Sequence, residues 1–109
     1  MLLDQHAQGL FTLPKIVQKA AHNPALLFGI ADRGFIREGY YADLVAVDLA
    51  ATTHVDAKQV LYKCGWSPFE GTEFRGRIAL TVLNGVPVFR DGQHIAGPRM
   101  AQALTFKAR

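Results

Sequence analysis

The chain has 109 residues, 50% of them hydrophobic and 19% charged, with a formal charge of +3 at neutral pH. That length suits one small domain with a single core, and the composition is that of a folded chain rather than a disordered one. The basic side chains are dispersed, with Lys15, Lys19, Arg33 and Arg37 set among apolar and acidic neighbours, so no nucleic-acid partner is expected.

No window approaches the roughly 20 apolar residues of a membrane span, and MLLDQHAQGLF at 1–11 has no basic region ahead of its apolar residues. Neither a membrane partner nor a signal peptide is therefore expected. Cys64 is the single cysteine, which rules out an intrachain disulfide and suits a reducing, cytoplasmic setting.

In chain order, Thr12 reads as a helix N-cap with Pro14 in the first turn, where a missing N–H costs nothing. Leu13, Ile16, Val17, Ala20 and Ala21 then fall on one helical stripe, with Lys15, Gln18, Lys19 and His22 opposite. Asn23-Pro24 is expected to stop this helix, because the residue before proline is pushed out of the α region. A short second helix over 25–28 follows, closed by Gly29.

After Gly34 the pattern turns to β. Residues 42–49, ADLVAVDL, are apolar at successive positions and valine-rich, which predicts a strand covered on both faces. A loop is expected over 50–53, then a short strand at His54 and Val55 and a helical turn from Asp56. RIALTVL at 77–83, Asn84-Gly85 and VPVFR at 86–90 form the strongest local signal. Asn-Gly supplies the two positive φ angles of a type I′ hairpin turn. Pro87 belongs at the beginning of its strand or on an exposed edge. Asp91-Gly92 predicts a second turn with a return through His94 and Ile95, and the pattern does not place the tail after Gly97.

Catalytic constellations are absent from this pattern. No two of His6, His22, His54 and His94 stand at i, i+2 or i, i+4, the spacings that aim two imidazoles at one metal. Each reads as a surface or capping histidine. Ser67, ahead of Pro68, reads as a turn serine bonding local backbone, and Cys64 beside Lys63 as packing rather than a nucleophile. Asp43 and Asp48 bracket an apolar strand and are expected to satisfy turn amides. The glycines sit singly, with no phosphate-cradling run. No catalytic, cofactor-binding or metal-ligating residue is assigned to this chain.

Three motifs stand in a telling order: HNPALLFGI at 22–30, GFIREG at 34–39 and ADLVAVD at 42–48. Together they resemble the C-terminal end of the amidohydrolase superfamily, where a last barrel helix with an Asn-Pro step leads to a glycine turn and then a strand. NGVPVFRDG at 84–92 is similar to that superfamily's closing hairpin. KCGWSPFEG at 63–71, with RGR at 75–77, resembles the Ser-Pro-Phe-x-Gly segment of dihydroorotases. Allantoinases carry a similar segment with tyrosine for the phenylalanine, and dihydropyrimidinases resemble it less.

The resemblance implies a C-terminal portion of a zinc hydrolase that interconverts carbamoyl-aspartate and dihydroorotate in pyrimidine biosynthesis. Its fold is expected to be α+β: one or two helices, then the C-terminal part of a small, mainly antiparallel β-sandwich flanking a barrel. Residues 1–33 are expected to be the end of the barrel and 34–109 the sandwich part. The family's zinc ligands, a His-x-His pair, a carboxylated lysine, further histidines and an aspartate, match no position here. This chain is therefore expected to hold no zinc and to be inactive by itself. Its expected partners are the barrel, the N-terminal strands and further copies of itself. The alternatives are another amidohydrolase, an allantoinase or a dihydropyrimidinase-like enzyme, or a stand-alone non-catalytic β interaction module.

Overall fold

A computed structural model describes residues 1–59, 61–97 and 101–107. Helices come first and a sheet follows, so the class is α+β. Helix α1 spans Leu2–Ala7 and α2 spans Leu13–Val17; a π-helical turn, Gln18–His22, leads into α3, Asn23–Leu27. The sheet is an antiparallel meander in the order β1 (Leu44–His54), β2 (Glu73–Leu83), β3 (Val86–Arg90) and β4 (Gln93–His94).

Thr12 caps α2 as its sequence position suggests: its hydroxyl accepts from the Lys15 amide at 3.3 Å. The Asn23-Pro24 step does not stop the helix. Asn23 keeps helical angles, φ −62° and ψ −44°, and its N–H donates to the Gln18 carbonyl five residues back. Proline lacks the N–H of a regular turn and its ring crowds the carbonyl four residues earlier. The wider π turn relieves that crowding, so the chain passes through instead of breaking.

The hairpin forms as its turn chemistry dictates. Asn84 and Gly85 take φ of 49° and 81°, and Leu83 pairs with Val86 across the turn. Asp91 and Gly92, at φ 48° and 88°, turn the chain again into β4. Pro87 is the second residue of β3.

The predicted loop over 50–53 is instead part of β1. Register jumps between Asp48, paired with Arg77, and Thr52, paired with Arg75, so four steps on β1 match two on β2. The Asp48 carboxylate accepts the Ala50 and Ala51 amides at 3.0 and 3.2 Å, giving the bulged backbone a local partner. Beyond β1, the Asp56 carboxylate caps a 3-10 turn, Ala57–Gln59, by accepting the Lys58 amide at 2.9 Å.

Two close approaches hold the helices, one on the sheet and one on the turn that follows α3. Gly76, in mid-β2 at φ +86°, is where Leu3 of α1 lands; a Cβ there would lie 2.6 Å from the Leu3 Cβ. Asp4 fixes the same contact by accepting the Arg75 amide at 3.0 Å. Gly76 is thus a packing glycine inside a strand. Gly34, at φ +82°, packs on α3 the same way, where a Cβ would lie 2.4 Å from that of Ala25.

Ala25 is the one buried hydrophobic side chain among the described residues. The accessible surface is 8335 Å², against about 6,000 Å² for a compact monomer of this mass. The radius of gyration is 15.6 Å, against about 13 Å for a compact chain of this length. The valine-rich strand expected to be covered on both faces is open, with Val45 57% and Val47 39% exposed.

Candidate functional site

The helical stripe read from the sequence faces β1 and β2 without closing on them. Leu13, Ile16, Val17, Ala20 and Ala21 form one wall of a groove, and Met1, Leu2 and Leu3 extend it. Val45, Val47, Phe74 and Ile78 form the floor, and Gly76 and Thr53 complete the lining. The groove holds about 700 Å³ and none of its lining side chains is charged. The lining is apolar apart from Thr53, whose hydroxyl donates to the Gly76 carbonyl at 2.9 Å.

β1 is also an edge. It pairs with β2 on one side, and among the described residues no strand pairs with the other. Val45 and Val47 belong both to that edge and to the groove floor, so the open backbone and the open apolar face are contiguous. Beyond Asp48 the bulge interrupts the edge.

A clasp holds the opposite end of the sheet. The Asp43 carboxylate pairs with Arg33 and accepts the Asn84 amide at 2.8 Å. The Arg33 guanidinium lies 4.1 Å from the centroid of Tyr41, whose amide donates to the Asp32 carbonyl. With the Arg33 side chain only 10% exposed, this pair ties the post-helical turn, the start of β1 and the hairpin into one unit.

The residues weighed individually from the sequence are dispersed into local roles. The His6 ring nitrogen Nδ1 is 2.8 Å from the Phe11 carbonyl, His22 stacks on Phe35 at 4.3 Å and His94 meets the edge of Phe89. His54 closes β1. Ser67 Oγ accepts the Phe69 amide at 3.2 Å within its own turn, and Cys64 is exposed. Asp43 holds the turn amide of Asn84, as its position suggests, whereas Asp48 holds the amides of the bulge within β1. Among the described residues no three His, Cys, Asp or Glu side chains gather closely enough to hold a metal ion.

Sequence reading missed α1 and the pairing of the tail. The Ala31 amide donates to the Thr105 carbonyl and the Lys107 amide to Gly29, bridging Ile30 to Phe106. Neither has a local signal: α1 is six residues with no side-chain cap, and the tail bridge joins residues far apart in sequence. No helix among the described residues is long and apolar enough to cross a membrane.

Helices laid across one face of a small antiparallel meander define an α+β scaffold element, and known proteins share it. The solved structure of L-hydantoinase (dihydropyrimidinase) from Arthrobacter aurescens superposes with a TM-score of 0.85 at 32% identity, covering 95% of this chain and 24% of that one. The dihydroorotase of Pyrococcus furiosus is 36% identical over 99 residues, or 91% of this chain and 24% of that protein. The allantoinase of Desulfitobacterium hafniense is 38% identical over 88 residues, or 81% of this chain and 20% of that protein. The description "Amidohydrolase family" matches residues 1–88. The chain belongs to the amidohydrolase family, and it spans about a quarter of the length of these relatives.

Proposed function

We propose that this chain is the C-terminal portion of a cyclic-amide hydrolase, a dihydroorotase, which interconverts carbamoyl-aspartate and dihydroorotate in pyrimidine biosynthesis. Residues 1–33 form the end of the barrel and 34–109 the C-terminal part of the flanking sheet domain. In the whole enzyme, residues outside this chain would hold zinc, which would lower the pKa of water toward neutral pH. The part of this chain is mechanical: the groove of about 700 Å³ and the β1 edge receive the rest of the enzyme. The Arg33–Asp43 pair fixes the sheet relative to the helices that would end the barrel.

The observation that carries the reading is the family match over residues 1–88 together with KCGWSPFEG at 63–71, the dihydroorotase-like segment. The identity to Pyrococcus furiosus dihydroorotase supports the same choice. A second substrate class is favoured by specific matches, since an allantoinase and a hydantoinase align over most of the chain. Initial rates of the whole protein on dihydroorotate, allantoin and dihydrouracil separate them. The proposal expects dihydroorotate to be preferred by at least about a hundredfold in kcat/KM, some 3 kcal/mol in transition-state binding. Preference for allantoin or dihydrouracil replaces dihydroorotase by that activity. Absence of all three leaves a non-catalytic β module as the reading.

A further inference from the structure

We propose that Asp48 is a stop on the β1 edge: the strand that the rest of the enzyme lays against β1 pairs with residues 44–48 and ends there. This rests on the reading above, in which the edge receives the rest of the parent, and adds where that pairing must finish. The chain spans 24% of the matched dihydroorotase, so most of the parent lies outside it. Residues 44–48 run at the sheet edge with no strand on their outer side among the described residues. An unpaired run of backbone donors and acceptors is a template for one more strand.

The stop is built from backbone amides. In a regular strand alternate N–H groups point to opposite sides, and one set is offered to each neighbour. At Ala50 and Ala51 that alternation is broken, because both amides donate to one oxygen, Oδ1 of Asp48, at 3.0 and 3.2 Å. A strand laid along the edge finds no free donor at either position, whichever phase it adopts. The register agrees: Leu49, Ala50 and Ala51 stand against Gly76 alone, between the Asp48–Arg77 and Thr52–Arg75 pairs. An insertion of this kind bends its strand and interrupts the ladder.

The other irregularity of β1 has the opposite sense. Between Ala46 and Val47 the extra residue is Ala79 on β2, so residues 44–48 themselves run without an insertion. Asp48 is the one carboxylate within β1, and its second oxygen, Oδ2, faces the Arg77 guanidinium at 3.9 Å. The stop therefore confines pairing to the stretch that carries Val45 and Val47, and these two also line the groove. One covering strand then meets the open backbone and borders the apolar face together.

Residue-resolved amide exchange of the whole protein tests this. Residues 44–48 are expected to be protected at every position, and 52–54 only at alternate ones, as on an uncovered edge. Alternate protection within 44–48 overturns the proposal, and so does unbroken protection through 52–54. In the whole protein, Asp48→Ala is expected to speed exchange at Ala50 and Ala51 at least about tenfold relative to the β2–β3 hairpin amides. Asp48→Asn, which keeps an acceptor oxygen, is expected to hold them within about threefold of the native rate. Amides at 50 and 51 that stay protected in Asp48→Ala are held by something other than the carboxylate, which overturns the stop. The native pattern needs no variant, so misfolding of Asp48→Ala does not remove the test. A native protein with only the mass of this chain refutes the parent reading instead, and the exchange pattern does not depend on which substrate is turned over.

Discussion

Gly76 is the position where one added methyl group should do the most damage. Two costs combine there. An alanine must adopt φ near +86°, which costs about 1–2 kcal/mol for a residue with a Cβ. That Cβ must also sit 2.6 Å from the Leu3 Cβ and 3.0 Å from its Cδ1, and overpacking of this kind costs about 1–3 kcal/mol. The sum is about 2–5 kcal/mol for Gly76→Ala. Gly85 supplies the control, because its φ of +81° is nearly the same and nothing lies within 4 Å of its absent Cβ. Gly85→Ala should therefore cost only the conformational part, about 1–2 kcal/mol. Urea unfolding of both variants, followed by circular dichroism at matched protein concentration, reads the difference. Leu3→Ala does not rescue Gly76→Ala, since alanine keeps the offending Cβ. Equal losses for the two glycine variants would refute the docking of α1 on β2.

The Arg33–Asp43 clasp gives a second test. Asp43→Ala leaves a guanidinium that is only 10% exposed without its carboxylate and removes the acceptor of the Asn84 amide. The expected loss is on the order of 2–4 kcal/mol, below the fully buried case because Asp43 keeps 29% of its side chain exposed. A loss under about 0.5 kcal/mol in urea unfolding counts against the clasp. Trp66, 60% exposed on its loop, should tolerate alanine within about 0.5 kcal/mol in this chain. In the whole enzyme the same change should cost more, because there the proposal gives the indole a neighbour to pack on. Thermal unfolding of both forms makes the comparison. Titration calorimetry of this chain with zinc should show no stoichiometric binding, and a one-to-one site of micromolar affinity or better contradicts the donor geometry.

What was legible in the sequence was local. Asn84-Gly85 announced its hairpin because a type I′ turn needs two positive φ angles in adjacent residues, and few pairs supply them. The stripe from Leu13 to Ala21 announced its face because helical periodicity is written within two turns, and those five side chains line the groove. The failures were matters of tertiary context. Proline chemistry predicted a break at Asn23-Pro24, and a π turn absorbed the strain instead. Asp48 read as the end of a strand, yet it stabilises a bulge and lets β1 run on to His54. Helix α1 was invisible because Gly76 and the Arg75 amide, some 70 residues away, hold it in place. The valines of β1 were written for burial on two faces, and among the described residues nothing supplies the second cover.

The candidate site follows the same division. The histidines, Ser67 and Cys64, which the sequence left as single residues, make unrelated local contacts in the structure. What the sequence could not show was that the helical stripe and the strand valines face one another across an open groove. That relation depends on the angle between the helical arm and the sheet, which Gly76, Gly34 and the Arg33–Asp43 pair set together.

The most direct test of the account is zinc-dependent dihydroorotate ring opening, measured side by side for the whole protein and for this chain alone. The account predicts turnover by the whole protein, lost on chelation and restored by zinc, and none by the 109-residue chain under any metal condition. Turnover by the chain alone, or a whole protein inactive on dihydroorotate with zinc bound, would contradict it.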